Sequence, residues 1–166
     1  MTDLTTQPPA QIDAILNELG FQRAKLIAHA DSLRSSAHHA RTGRYPDPAR
    51  AARLDAQADE YAPKVAAITD QMRPYHDEYD RRGGWTRAFL VQNTGGHVHS
   101  SMGCSTCYPS TQYAWLVDYS GHDENQIVYA AGELACTVCY PSAPVEVLAR
   151  VGVVGQRSAP RQNPAA

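Results

Sequence analysis

The chain predicts an α+β protein, an N-terminal antiparallel helical hairpin followed by a small β-rich module. Three observations carry that expectation. Apolar residues recur at alternating steps of three and four along two long stretches before residue 80. Runs of aromatic and branched residues begin at Trp85. Two near-copies of one motif, Cys104-Ser-Thr-Cys107-Tyr-Pro-Ser and Cys136-Thr-Val-Cys139-Tyr-Pro-Ser, contain all four cysteines.

Residues 1–9 are polar, end in Pro8-Pro9 and read as a disordered lead-in. The hairpin occupies residues 10–82. Its first stripe is Ile12, Leu16, Leu19, Leu26, Ala30, Leu33, Ala37 and Ala40, interrupted at Arg23; this is the spacing of one apolar helix face. Thr42-Gly43 reads as a helix end and Asp47-Pro48 as a restart, with aspartate as N-cap and proline at the first helical position. The second stripe, Leu54, Ala58, Tyr61, Val65, Ile68, Met72, Tyr75 and Tyr79, keeps heptad spacing to Gly83-Gly84. Pro63 and Pro74 lie within it. Each removes a helical hydrogen bond at a cost of about 3 kcal/mol, so bends are expected there. The short polar link makes the two arms antiparallel, roughly 40–45 Å long at 1.5 Å per residue.

The module occupies residues 83–150. Strands are expected at residues 85–91, 97–99 and 113–117, with a turn at Asn93-Thr-Gly-Gly96. Ser120 to Ala131 reads as a short helix with Asp123 as N-cap and Gly132 past its end. Residues 142–150 suggest another helical turn or two, and 151–166 a flexible tail.

Two C-x-x-C pairs whose first cysteines lie 32 residues apart favour a metal site of four thiolates, Cys104, Cys107, Cys136 and Cys139. Two intervening residues let the backbone turn so that both sulfurs of a pair face one point. Two such knuckles close a tetrahedron around Zn²⁺ at about 2.3 Å, with no position left for water or substrate. That geometry implies structural rather than catalytic metal. Iron suits the same ligands. A knuckle beside a β-hairpin describes a zinc-ribbon or treble-clef type of module, and the helix at 123–131 accounts for the long spacing between the pairs.

His97 and His99, at i and i+2 on a strand, share one face and are possible alternate ligands. With Ser100 or Ser101 they also form the alternative of a small catalytic site beside structural zinc. The blander reading makes one histidine a donor to a thiolate. His38-His39 suits the dipole at the end of the first helix.

Composition limits the function classes. Residues 1–82 are nearly neutral, with eleven Lys/Arg against twelve Asp/Glu, whereas residues 83–150 carry two basic and five acidic residues. Nucleic-acid affinity rests largely on phosphate neutralisation, so the acidic module argues against a nucleic-acid partner. No apolar run approaches the ~18 residues of a membrane span, and MTDLTTQPPAQ lacks the basic and apolar regions of a secretory signal. The expectation is a cytoplasmic protein, in a reducing compartment where paired C-x-x-C motifs favour metal over disulfides.

Gly96-His97-Val98-His99-Ser100-Ser101-Met102, Cys104-x-Thr106-Cys107, Trp115-Leu116-Val117, Ser120-Gly121, Glu124, Gly132 and Cys136-x-x-Cys139-Tyr-Pro-Ser-Ala-Pro144 resemble a family of small proteins of actinobacteria and their phages. The resemblance spans about residues 85–144. It implies an actinobacterial or phage origin, host cytoplasm if phage-encoded, and a bound metal, and it implies no reaction.

The functional expectation is a non-enzymatic zinc-binding adaptor with a protein partner. Its alternatives are the His97/His99 enzyme and a regulator associated with nucleic acid or RNA polymerase. The heptads also suit a homodimer.

Overall fold

The computed structural model describes residues 3–143. Residues 144–166, and with them most of the expected turn at 142–150 and the tail, lie outside the described residues. The chain divides into two compact units, one ending at Gly84 and one beginning at Trp85.

The first unit contains helices α1 (Pro9–Thr42), α2 (Pro48–Asp59) and α3 (Tyr61–Arg81). Both α2 and α3 pack along α1. Their cross-helix pairs run in opposite order along the two arms, as an antiparallel hairpin requires. Arg41 pairs with Asp55, Arg34 with Asp59 at 3.5 Å, and the His29 and Tyr61 rings stack at 5.8 Å. Every residue of both apolar stripes is buried or half-buried. Helix α2 starts as its sequence dictates, with Pro48 in the first turn and the Asp47 carboxylate accepting from the Arg50 amide at 2.8 Å.

The two prolines act differently. Pro74 lies inside α3, which continues through it. At Pro63 the expected bend is an end and a restart, because the pyrrolidine nitrogen cannot donate to the Asp59 carbonyl. Helix α2 stops at Asp59, and Pro63 falls in the first turn of α3, where no donor is required.

Ahead of α1, Leu4–Thr6 form a 3-10 turn capped by Asp3, within the stretch whose composition reads as disordered. It is tied to the far end of the unit. Arg82 donates to the carbonyls of Leu4 and Gln7, and Glu78 receives both Arg81 and Arg82, at 2.6–2.7 Å. Glu78 is 6 % exposed. Its hydrogen bond with Arg81 outweighs the cost of its burial, and Arg82 adds to it, holding the carboxyl down at about 2. Gly83 and Gly84 then leave the helix at φ +74° and +81°, a region that side chains disfavour.

The second unit is built on three short antiparallel strands, β1 (Phe89–Val91), β2 (Val98–His99) and β3 (Tyr113–Trp115), in the order β2-β1-β3. Gly96 closes the β1–β2 turn. A Cβ there would fall 1.9 Å from the Val91 carbonyl oxygen, so glycine is obligatory. Directly paired residues share a face, and the register therefore sorts the sheet. Phe89 pairs with His99 and with Trp115, and Val91 with Tyr113; Leu90 pairs with Val98 and with Ala114.

The Leu90 face carries the core. Ala88 and Val98 cluster there with Ile127, Ala135, Tyr140 and Ala143, flanked by Leu90 and Leu116. Ile127 comes from helix α4 (Glu124–Ala131), which starts later than the expected Ser120. Its start is fixed by a reciprocal capping box between Asp123 and Gln126. Gly132 follows its last residue, as expected.

Because Glu78 titrates at about 2 in the fold and at 4.5 ordinarily, its contribution is complete above 4.5 and is lost as pH falls from there towards 2. Acid titration followed by far-UV circular dichroism should show helical stability declining through that window. Glu78→Gln should lower the melting temperature at pH 7 and flatten the acid limb; an unchanged acid profile would refute the assignment.

Candidate metal centre

The other sheet face carries the candidate site, because β2 places His99 there opposite Phe89. Two loops bring the cysteines to it. The first leaves β2 directly: the Gly103 amide donates to the Ser101 hydroxyl at 3.0 Å, and the Cys107 amide closes a turn on the Cys104 carbonyl at 3.0 Å. The Tyr113 hydroxyl, from β3, donates to the Met102 carbonyl at 3.0 Å and pins this loop to the sheet.

The second loop arrives from α4. Ala135 forms a parallel bridge with Val98, and the Cys136 amide donates to the Val98 carbonyl at 3.0 Å. Cys136 is thereby set beside the residue preceding His99. The Cys139 amide repeats the knuckle turn on the Cys136 carbonyl at 3.1 Å. Glu124, in the first turn of α4, accepts from the Ser142 amide and hydroxyl at 3.0 and 2.6 Å, which fixes the exit of this loop.

The donor atoms of His99, Cys104, Cys136 and Cys139 all lie within 4.8 Å of one another. These four residues can hold a metal ion, and their arrangement does not identify which metal. The tight group thus holds three of the four knuckle cysteines and one of the two candidate histidines. Cys107 is outside that group, yet its sulfur also lies against the His99 ring, 3.6 Å from Nε2 and 4.0 Å from Nδ1. The Cys139 sulfur is 3.5 Å from Nδ1. His97 is half-buried, its ring 6.5 Å from that of His99, and it is not in the group. His38 and His39 belong to the end of α1, where His39 bonds the Ser35 carbonyl at 2.8 Å.

Burial and hydrogen bonding shift these groups in different directions. Burial pushes His99 below its ordinary 6.5, and neighbouring His97 adds to the effect. A neutral imidazole is the form a metal accepts. Burial acts to raise Cys104. The Thr106 hydroxyl and amide, with hydrogen bonds from Cys139 and Cys136, outweigh it and hold this thiol below 9.0. The Thr106 hydroxyl is 3.1 Å from the Cys104 sulfur and 3.9 Å from that of Cys136. Cys139 goes the other way: burial raises it above 9.0, although the Ser100 amide and hydroxyl hydrogen-bond its sulfur. The Cys107 sulfur beside it, with burial, pushes the Tyr113 phenol up to about 12. Sulfurs this close repel one another once ionised, and a cation at their centre removes that penalty.

Ser100 and Ser101, the hydroxyls that sequence placed beside the histidines, serve the loop and the Cys139 sulfur. Thr106 is the contributor that motif reading missed. Its signal was its place inside the first C-x-x-C, where a hydroxyl comes within reach of the Cys104 sulfur. No family model, no curated protein and no solved structure matches the chain. Among the described residues, no helix is long and apolar enough to cross a membrane.

Removing one partner of a metal-binding cluster's outer hydrogen bonds costs about 10–100-fold in affinity. Thr106→Val should weaken metal binding by that factor in a chelator competition while leaving stoichiometry unchanged; an unaltered affinity would remove the threonine from the site. The depressed His99 sets a pH dependence as well. The unfolded chain takes up this proton before the folded one does, so the second unit should lose stability as pH falls below 6.5. Both tryptophans of the chain, Trp85 and Trp115, lie in that unit. Their fluorescence isolates its melting from that of the helices, and a melting temperature flat between pH 7 and 5 would refute the role given to His99.

Proposed function

We propose that the second unit is a zinc-ordered module, with Zn²⁺ on His99, Cys104, Cys136 and Cys139, and that the protein is a non-enzymatic adaptor. The carrying observation is the convergence of four soft donors from β2 and both knuckles within 4.8 Å. Three sulfurs and one imidazole nitrogen match the tetrahedral preference of zinc. Four protein donors fill that tetrahedron, so the metal has no vacant position at which to activate a substrate.

The interior of the unit supports a structural role. Half of its buried core cluster is alanine, with Val98, Ile127 and Tyr140 as the large members. Such a core buries little apolar area, and zinc binding supplies about 10–16 kcal/mol in small metal-dependent domains at neutral pH. The adaptor reading draws on the knuckles' outer surfaces, where Met102, Tyr108 and Val138 are exposed apolar side chains. The enzyme alternative is weakened because His99 is 2 % exposed and packed among sulfurs, and Ser100 is engaged with Cys139.

Elemental mass spectrometry of the purified chain should give one zinc per chain. Chelation should abolish the dispersed amide signals of residues 85–143 and shift the tryptophan emission, while most of the helical circular dichroism of α1 to α3 persists. Retention of the native tryptophan environment after complete metal removal would sink the structural-zinc reading. A second metal equivalent would direct attention to His97 and to the enzyme alternative.

A further inference from the structure

The two knuckles share a backbone turn and differ in what they deliver. In each, the amide of the second cysteine donates to the carbonyl of the first, Cys107 to Cys104 at 3.0 Å and Cys139 to Cys136 at 3.1 Å. The second knuckle sends both of its sulfurs into the donor group, whereas the first sends only that of Cys104. His99 makes up the fourth member. The Cys107 sulfur is close by, against the His99 ring at 3.6 Å from Nε2 and 4.0 Å from Nδ1. Five soft donors thus adjoin a centre with four positions.

A cysteine sulfur changes place by rotation about a single Cα–Cβ bond, with no change in the backbone. We propose that Cys107 and His99 are alternative occupants of the fourth position, chosen by the softness of the ion. Zinc takes the imidazole; a more thiophilic divalent ion, represented by Cd²⁺, takes the Cys107 thiolate instead. This rests on the zinc reading above and extends it from one ion to a class of ions.

Charge and softness separate the two states. Three thiolates and a neutral imidazole leave a divalent ion with one net negative charge, and four thiolates leave two. The added charge is unfavourable away from water unless hydrogen bonds offset it. The site has such donors. The Thr106 hydroxyl is 3.1 Å from the Cys104 sulfur, and the Ser100 amide and hydroxyl hydrogen-bond that of Cys139. The displaced His99 ring, still beside the sulfurs, has an N–H free to donate to a thiolate. In the exchange one metal–nitrogen bond gives way to one metal–sulfur bond, and the Cys107 thiol releases its proton to water. Softer ions gain more from sulfur in place of nitrogen, so the exchange favours them over zinc.

The test loads the full-length chain with Cd²⁺ or with Co²⁺, the latter standing in for zinc, and reads thiolate-to-metal charge-transfer intensity per ion. Cys107→Ser should take from the cadmium form the share of one sulfur in four and leave the cobalt form unchanged. Cys104→Ser should lower both. His99→Ala should leave the cadmium intensity at its native level. In the native chain, iodoacetamide should label Cys107 when zinc is bound and spare it when cadmium is bound.

Cadmium intensity that survives Cys107→Ser overturns the exchange and leaves the zinc module standing. Equal losses from the cadmium and cobalt forms overturn it too, because Cys107 is then a fixed ligand for both ions. A native chain that binds neither zinc nor cadmium overturns the zinc reading itself. Should Cys107→Ser fail to fold, the native chain decides: labelling of Cys107 that is the same with either ion overturns the exchange.

Discussion

One backbone hydrogen bond does most to organise the second unit. Cys104 and Cys136 are separated by 32 residues, and the Cys136 amide crosses that gap by donating to the Val98 carbonyl at 3.0 Å. His99 is the next residue, with its side chain on the opposite face of the strand. The same short segment therefore anchors the returning loop through its main chain and presents a ligand through its side chain. Val98 itself points into the core with Ile127 and Ala135. Packing, loop closure and donor placement converge on two consecutive residues, so none of them is independent of the others.

This arrangement explains why so small a sheet suffices. Strand β2 has two residues and β1 and β3 three each, too few for a sheet to hold by itself. One face is covered by α4 and the Ala135–Ala143 stretch; the other carries His99 and the sulfurs. The Glu124 carboxylate joins the two faces, since it begins α4 and also accepts from Ser142 beyond the second knuckle. Its hydrogen bonds with the Ser142 side chain and amide hold it below the usual carboxylate range.

The helical unit was largely legible in the sequence because one signal decides it. Every residue of the two stripes is at least half-buried, and the Asp47-Pro48 restart is where the chemistry of caps puts it. Pro63 was misjudged for a local reason. A stripe that keeps its phase suggests continuity, yet ending one helix and placing the proline in the next first turn avoids an internal proline altogether. In the second unit, the α4 cap and the places of the three strands were also readable, although the expected strands at 85–91, 97–99 and 113–117 shorten to Phe89–Val91, Val98–His99 and Tyr113–Trp115. The donor grouping was less so. The choice between Cys107 and His99 depends on strand register and on the Val98–Cys136 bond, which join residues far apart in sequence. Pattern spacing records how two cysteines of one knuckle meet, and says little about which of them groups with a histidine from a neighbouring strand.

The parallel bridge between Val98 and Ala135 has a bearing on how the protein behaves outside its native state. Strand β2 is the last strand on its side of the sheet, and terminal strands with open main-chain groups recruit other chains into ordered aggregates. Here the segment leading to the second knuckle shields that border. Ala135 directly precedes Cys136, one of the four residues that can hold a metal ion. An ion bound there would fix the shielding segment together with the loop, and its removal would open the main chain of Val98 and His99 to another chain.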